Sequence, residues 1–396
     1  MKNTYLAIIS LLFFYACQSD SSTKANNDQT SSEITTTPPM EEEAIPTSGE
    51  RYLHLKGTIG NYPVTMDLQI DPSGTSQGWD YSGTYYYDKV GKPLSLQGYF
   101  VKNSPIELEE YDRPGKITGK FVGAINAQNV FEGTWRSGDN SKTLEFKLLP
   151  QPGVQFKLLA FSDSLVWEAP GTEGSTAYFD ETWLWPSGNL AADRHNFLTQ
   201  QILMEMAGDS LSNIYHDPQS LYKVQRDWFF NDFATEMKLI LENNEGEEPA
   251  WLPPGYASST SMEVTYNTQD LVTLAYLNYS FSGGAHGNYG TTFKVYDLAQ
   301  QKVLTLNDIF KPGYETTLNQ ALDQAIRENY EIPADRGLSE VLFEDTIAAN
   351  DNFGLTAKGI IFNYVPYEIS AYAVGEIRLF ISFEDLKEVL REEILQ

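Results

Sequence analysis

The sequence predicts a multidomain chain: an N-terminal all-β barrel or sandwich, then an α+β region with a mixed sheet and packed helices. Three observations carry this. Residues 51–150 break into short runs of alternating apolar and polar side chains, separated by Gly, Pro or Asn signals at close spacing, as half-buried strands joined by tight turns do. In residues 191–207 and 219–242 the apolar positions recur every three or four residues, which marks one-sided helices. From residue 256 onward strands return, grouped with helices rather than alternating strictly with them, which is an α+β pattern. The 396 residues, 41% hydrophobic and 13% aromatic, suit a folded chain of more than one domain.

The first 16 residues read as a targeting leader. Lys2 precedes an apolar run over residues 6–16, too short to span a bilayer as a helix. The run ends at Cys17, the only cysteine in the chain, so an internal disulfide is impossible. Placed there, Cys17 reads as the lipid acceptor of a bacterial lipoprotein cleaved before it; ordinary secretion with a free thiol is the other reading. Residues 17–50 are Ser, Thr, Asn, Pro and Glu with little to bury, which predicts a disordered tether. The expected location is the bacterial cell envelope, lipid-anchored at the outer membrane and facing the periplasm or the surface. The formal net charge of −27 repels nucleic acid and anionic headgroups and steers cationic partners inward, although solubility alone also accounts for it.

In the all-β region, 51–150, the strand-like runs include Val64-Thr-Met-Asp-Leu-Gln-Ile70, Tyr81-Ser-Gly-Thr-Tyr-Tyr-Tyr87 and Phe131-Glu-Gly-Thr-Trp135. Gly83, Gly98, Gly119 and Gly133 fall inside such runs, which predicts tight bends at barrel corners. Residues 151–248 form an α+β segment. Strands are expected over 154–160 and 177–185, then the two helices. The second helix places Leu221, Val224, Trp228, Phe229, Phe233, Met237, Ile240 and Leu241 on one face, with Pro218 near its start.

Residues 256–396 are organised around a hairpin. Runs 271–281 and 291–296 flank Ser282-Gly283-Gly284-Ala285-His286-Gly287, where glycines supply positive φ at little cost. The expected sequel is the run Leu304-Thr-Leu-Asn-Asp-Ile-Phe310, a helix over 314–329 with Thr316 or Thr317 as its candidate cap, two more strands, and a C-terminal helix over 383–394. Taken with Tyr364-Val-Pro366-Tyr367-Glu368-Ile369 and Tyr372-Ala373-Val374-Gly375, the GGAHG turn resembles a bacterial envelope domain, domain of unknown function 3298. That domain forms the extracellular part of RsiV-type anti-sigma factors, which bind lysozyme, and is appended to some polysaccharide deacetylases. The resemblance covers roughly 256–395 and suggests a Bacteroidetes-type lipoprotein. It implies that segment 151–242 packs with this domain.

The motifs that carry chemistry are sparse. Gly74-Thr75-Ser76-Gln77-Gly78 fits G-x-S-x-G, but no helix follows it to lift the serine into a nucleophile elbow. His54, His195, His216 and His286 lie too far apart for a zinc pair, and the acids form no calcium loop. No metal or other cofactor is therefore expected, no catalytic residue is assigned, and the chain reads as non-enzymatic. The candidate binding or turn residues are Gly283, Gly284, His286, Gly287, Tyr289, Tyr364, Tyr367 and Tyr372. His286 is either a presented donor or a ring that fixes the turn, and the tyrosines either meet a partner or cover a sheet edge. The expected function is a binding module for a lysozyme-like basic protein or for peptidoglycan, with a glycan hydrolase or deacetylase of dispersed residues as the alternative.

Overall fold

The computed structural model describes residues 51–71, 80–99, 101, 104–113, 116–168, 174–188, 190–243 and 255–394. Cys17, the tether and the Gly74–Gly78 motif lie outside them.

Of the barrel and the sandwich that the alternation allows, the N-terminal strands form the closed barrel. They are β1 (Arg51–Ile59), β2 (Tyr62–Ile70), β3 (Tyr81–Tyr87), β4 (Leu94–Gly98), β5 (Ile106–Arg113), β6 (Lys116–Ile125), β7 (Phe131–Ser137) and β8 (Thr143–Pro150). Each pairs antiparallel with the next, and β1 pairs β8, with Gly57 opposite Leu148. Leu55, Met66, Leu68, Tyr85, Phe121 and Phe146 fill the interior. The in-strand glycines mark close backbone approach: a Cβ on Gly83 would lie 2.1 Å from the Asp67 carbonyl oxygen, and one on Gly133 would lie 2.2 Å from that of Val122.

The next layer is a six-stranded sheet: β9 (Gln155–Trp167), β10 (Ser175–Ser187), β11 (Gly255–Asn267), β12 (Leu271–Phe281), β13 (Asn288–Asp297) and β14 (Lys302–Val303), in the order β14-β13-β12-β11-β10-β9. Only β10 and β11 run parallel. Parallel neighbours need a long crossover, supplied here by α1 (Ala192–Ser212) and α2 (Pro218–Asn243). Leu198 and Ile202 of α1 pack with Trp183 and Leu274, while Phe233 and Met237 of α2 pack on Ala177 and Tyr256. Trp228 departs from its expected place on the buried stripe and is 56% exposed. The neighbouring Phe229 takes the inward position beside Phe179.

The barrel docks on β11. The Gln69 side chain donates to the Met262 carbonyl and the Thr84 hydroxyl to the Val264 carbonyl, both at 2.8 Å. Asn267 ties the same junction: its amide nitrogen donates to the Tyr52 hydroxyl at 2.7 Å and the Val154 carbonyl at 2.9 Å, and its oxygen accepts from the Val154 amide at 2.8 Å. Tyr52 in turn donates to the Asp67 carboxylate, which also receives His54 Nδ1 at 2.8 Å.

The C-terminal part contributes α3 (Leu306–Ile309), α4 (Glu315–Tyr330), a sheet of β15 (Phe353–Leu355), β16 (Gly359–Tyr364) and β17 (Ile377–Ser382), and α5 (Phe383–Leu386). Three expectations give way here. Three strands stand where two are expected, the short β15 pairing with β16, while the run 304–310 holds a one-turn helix with Thr305 at its N-cap, the Thr305 amide and hydroxyl both bonded to the Asp308 carboxylate. Neither Thr316 nor Thr317 caps α4; Tyr314 is its N-cap and makes no side-chain cap bond. The C-terminal helix stops at Leu386 because Leu390 bridges Phe310, with Lys311 donating to the Val389 carbonyl and Arg391 to that of Ile309. Leu318, Leu322 and Ile326 of α4 cover the three-stranded sheet at Leu379 and Ile381. The opposite face of that sheet meets the larger one through Ile361 and Phe380 against Ala275 and Phe293.

Candidate functional site

The β12–β13 hairpin and the loop after β16 meet at one corner of this sandwich. Gly283 and Gly284 have φ of +93° and +95°, the left-handed region that lets the tip turn sharply. Gly287 is needed for a different reason: a Cβ there would lie 2.5 Å from the Tyr279 ring.

The turn delivers His286 onto Tyr372, with ring centroids 3.7 Å apart and planes 18° from parallel. Tyr367 lies beside both, 5.6 Å from the Tyr372 centroid, and its hydroxyl is 3.2 Å from His286 Nε2. Tyr289 closes the group edge-on to Tyr372 at 5.7 Å. The Gly287 carbonyl accepts from the Tyr372 hydroxyl at 2.7 Å and also contacts His286 Nδ1 at 3.0 Å. His286 is thus tied to its own turn through the Gly287 carbonyl and lies at an exposed surface.

Tyr367 holds φ of +71°, a region that costs a tyrosine roughly 1–3 kcal/mol. Its loop enforces it. The Tyr367 amide bonds the Ser370 carbonyl, and Glu368 receives the Val365 amide at 2.9 Å and the Asn350 side chain at 2.8 Å. The result is a ring 56% exposed in a folded domain. Tyr364 stands apart: it is buried, and its hydroxyl donates to the Ala348 carbonyl at 2.7 Å.

Sequence reasoning missed the surface beside the cluster. Tyr279 and Tyr289 border a shallow depression of about 370 Å³ whose other walls include Ser259, Thr260, Asn278 and Asn288. Among the described residues of that lining, no side chain other than the tyrosines ionises. It arises where β11, β12 and β13 run out beyond the packed core, so polar residues spread over three strands come together without a local motif. Among the described residues no group of three or more His, Cys, Asp or Glu side chains is placed to hold a metal ion. No helix among them is long and apolar enough to cross a membrane.

The C-terminal part carries a DUF3298 domain: residues 307–384 match the family described as "Protein of unknown function (DUF3298)". Residues 209–289 match the family described as "Deacetylase PdaC". A DUF3298 family member from Bacteroides fragilis shares the fold at TM-score 0.55 and 20% identity, over 62% of this chain and 97% of that one. A DUF3298 family protein from Pseudomonas aeruginosa aligns at TM-score 0.40 and 19% identity, over 61% of this chain and 96% of that one. Among curated proteins, the peptidoglycan-N-acetylmuramic acid deacetylase PdaC of Bacillus subtilis is 28% identical over 138 residues. The match covers 34% of this chain and 29% of the length of that relative.

These matches correct the expectation of a non-enzymatic chain, because a deacetylase family and a deacetylase relative both point toward enzyme chemistry. That expectation rested on the lack of a local catalytic motif, and a site assembled from separate strands leaves none. The matches also divide the cluster: His286 and Tyr289 sit at the end of the PdaC-like segment, whereas Tyr367 and Tyr372 belong to the DUF3298 domain.

Proposed function

We propose that this chain works on peptidoglycan in the cell envelope, in the chemistry of glycan deacetylation, and that the aromatic corner is where it holds the glycan. One observation carries the reading. Four aromatic rings, His286, Tyr289, Tyr367 and Tyr372, converge at the surface beside a depression walled by hydroxyl and amide groups. Sugars offer C–H faces that lie on aromatic rings and a rim of hydroxyl and amide groups that suits such walls. Binding sites commonly combine apolar area with a few placed polar groups. The strained Tyr367 supports the same reading, since strain of this kind clusters at ligand-binding positions. The likeness of residues 209–289 to a deacetylase family favours glycan over a basic protein as the ligand.

The test is co-sedimentation of the purified chain with peptidoglycan, together with measurement of acetate released from it. Wild type is expected to sediment with the glycan and release acetate above the buffer control. Tyr367→Ala is expected to weaken sedimentation at least several-fold without lowering stability, since the ring is exposed. Sedimentation without acetate would confine the chain to holding glycan. No sedimentation at all would sink the reading.

A further inference from the structure

We infer that the aromatic corner selects an amine, and that its preferred glycan is the deacetylated amino sugar rather than the acetylated one. This rests on the glycan reading above and goes beyond it by naming the group recognised.

A backbone carbonyl only accepts, so the contact of His286 Nδ1 with the Gly287 carbonyl at 3.0 Å places a hydrogen on Nδ1. In the neutral ring Nε2 then carries a lone pair, and the Tyr367 hydroxyl, 3.2 Å away, donates to it. The Tyr372 hydroxyl spends its own hydrogen on the Gly287 carbonyl at 2.7 Å. The phenol hydrogens of Tyr367 and Tyr372 are thus used within the cluster, so at these two rings the oxygens keep lone pairs and no hydrogen to offer.

A ligand here meets acceptors and π-faces. An amine suits both: it brings two or three N–H donors, and when protonated it is drawn to the negative faces of the rings. An acetamide brings a single N–H, and its carbonyl would oppose the phenol lone pairs. The carboxylates nearest along the loop are committed to the scaffold. Glu368 holds the Val365 amide and Asn350, and Glu376 holds Thr291 and Asn363. At the Tyr367–Tyr372 pair, recognition falls to the ring faces and phenol oxygens, beside the hydroxyl and amide walls of the depression, while the net charge of −27 adds a long-range pull on cations. In a chain acting in glycan deacetylation, such a site holds the product side of the reaction.

Calorimetric titration of the full chain with glucosamine oligomers, and with N-acetylglucosamine oligomers of the same length, tests this. The amino form is expected to bind roughly tenfold more tightly, about 1.4 kcal/mol, and to lose much of that margin as salt is raised. Tyr367→Phe keeps the ring and removes the oxygen, so it should cut the preference for the amino form to under about threefold. Equal or tighter binding of the acetylated form overturns the inference and leaves the glycan reading standing, as does a preference untouched by Tyr367→Phe. If neither oligomer binds, the glycan reading itself falls. Binding of a lysine-rich peptide but not of glucosamine oligomers overturns the inference in favour of a peptide ligand.

Discussion

Thr291 and Glu376, 85 residues apart, are joined twice: the Glu376 carboxylate accepts the Thr291 amide at one oxygen and the Thr291 hydroxyl at the other, the latter at 2.9 Å. The first of these oxygens also receives the Asn363 side chain at 3.2 Å. One carboxylate therefore locks the base of the hairpin that presents His286 to the sheet whose loops present Tyr367 and Tyr372. Glu376→Ala leaves the Thr291 amide without a partner. It should cost roughly 2–3 kcal/mol in denaturant unfolding and loosen glycan binding although no ligand touches the residue.

The two kinds of glycine at the tip should separate cleanly. Gly284→Val pays backbone strain at positive φ but meets nothing, because a Cβ there has no neighbour within 4 Å. A loss of about 1–3 kcal/mol is expected, with the aromatic corner intact. Gly287→Ala forces the Tyr279 ring to move and should disturb tyrosine fluorescence and glycan affinity together. A Gly284→Val variant that melts like wild type would refute the turn argument.

Glu181 makes stability depend on pH. Burial pushes its carboxyl up to about 7, with the bond from Trp183 Nε1 at 3.0 Å pulling the other way. A folded-state value raised above the ordinary 4.5 means that the folded chain holds the proton where the unfolded chain has released it. Stability contributed this way is present below about 4.5 and is lost as pH rises to about 7. Glu181→Gln should therefore be close to neutral near pH 4.5 and stabilising near pH 8, by at most roughly 3 kcal/mol. Glu263 is likewise pushed to about 7, by burial against the pull of Arg378, so the single change removes only part of the slope. Thermal melts across pH check the sign.

Asn267 is the clasp between barrel and sheet. Asn267→Ala strips partners from both main-chain groups of Val154 and from the Tyr52 hydroxyl, with an expected cost of roughly 3 kcal/mol. Circular dichroism and tryptophan fluorescence melts that coincide in wild type should separate in this variant, as the barrel loses its hold on β11.

The barrel was legible because each strand of residues 51–150 shows one face to the core, as in Phe131-Glu-Gly-Thr-Trp135, where Phe131 and Trp135 point in and Glu132 points out. The helices α1 and α2 were legible from their period. What the sequence hid was decided by contacts far along the chain. Leu390 looks helical until Phe310 claims it. Tyr364 looks like its neighbours Tyr367 and Tyr372 until β16 turns it into the core. At the aromatic corner the residues could be named but not their arrangement, since the stacking of His286 on Tyr372 spans 86 positions. The Ser259–Asn278–Asn288 wall has no local pattern at all.

The single parallel seam between β10 and β11 bears on how the chain comes to its shape in time. β9 finds β10, and β12 finds β11 and β13, through short connections that close early. The seam can zip only after all of α1 and α2 has been threaded between its two edges, so its partners are distant along the chain and its closure is entropically late. The PdaC-like segment begins within α1 and ends in the first residues of β13. A nascent chain halted before residue 255 therefore exposes the bare edge of β10, the point where a chaperone or a second copy would most readily attach.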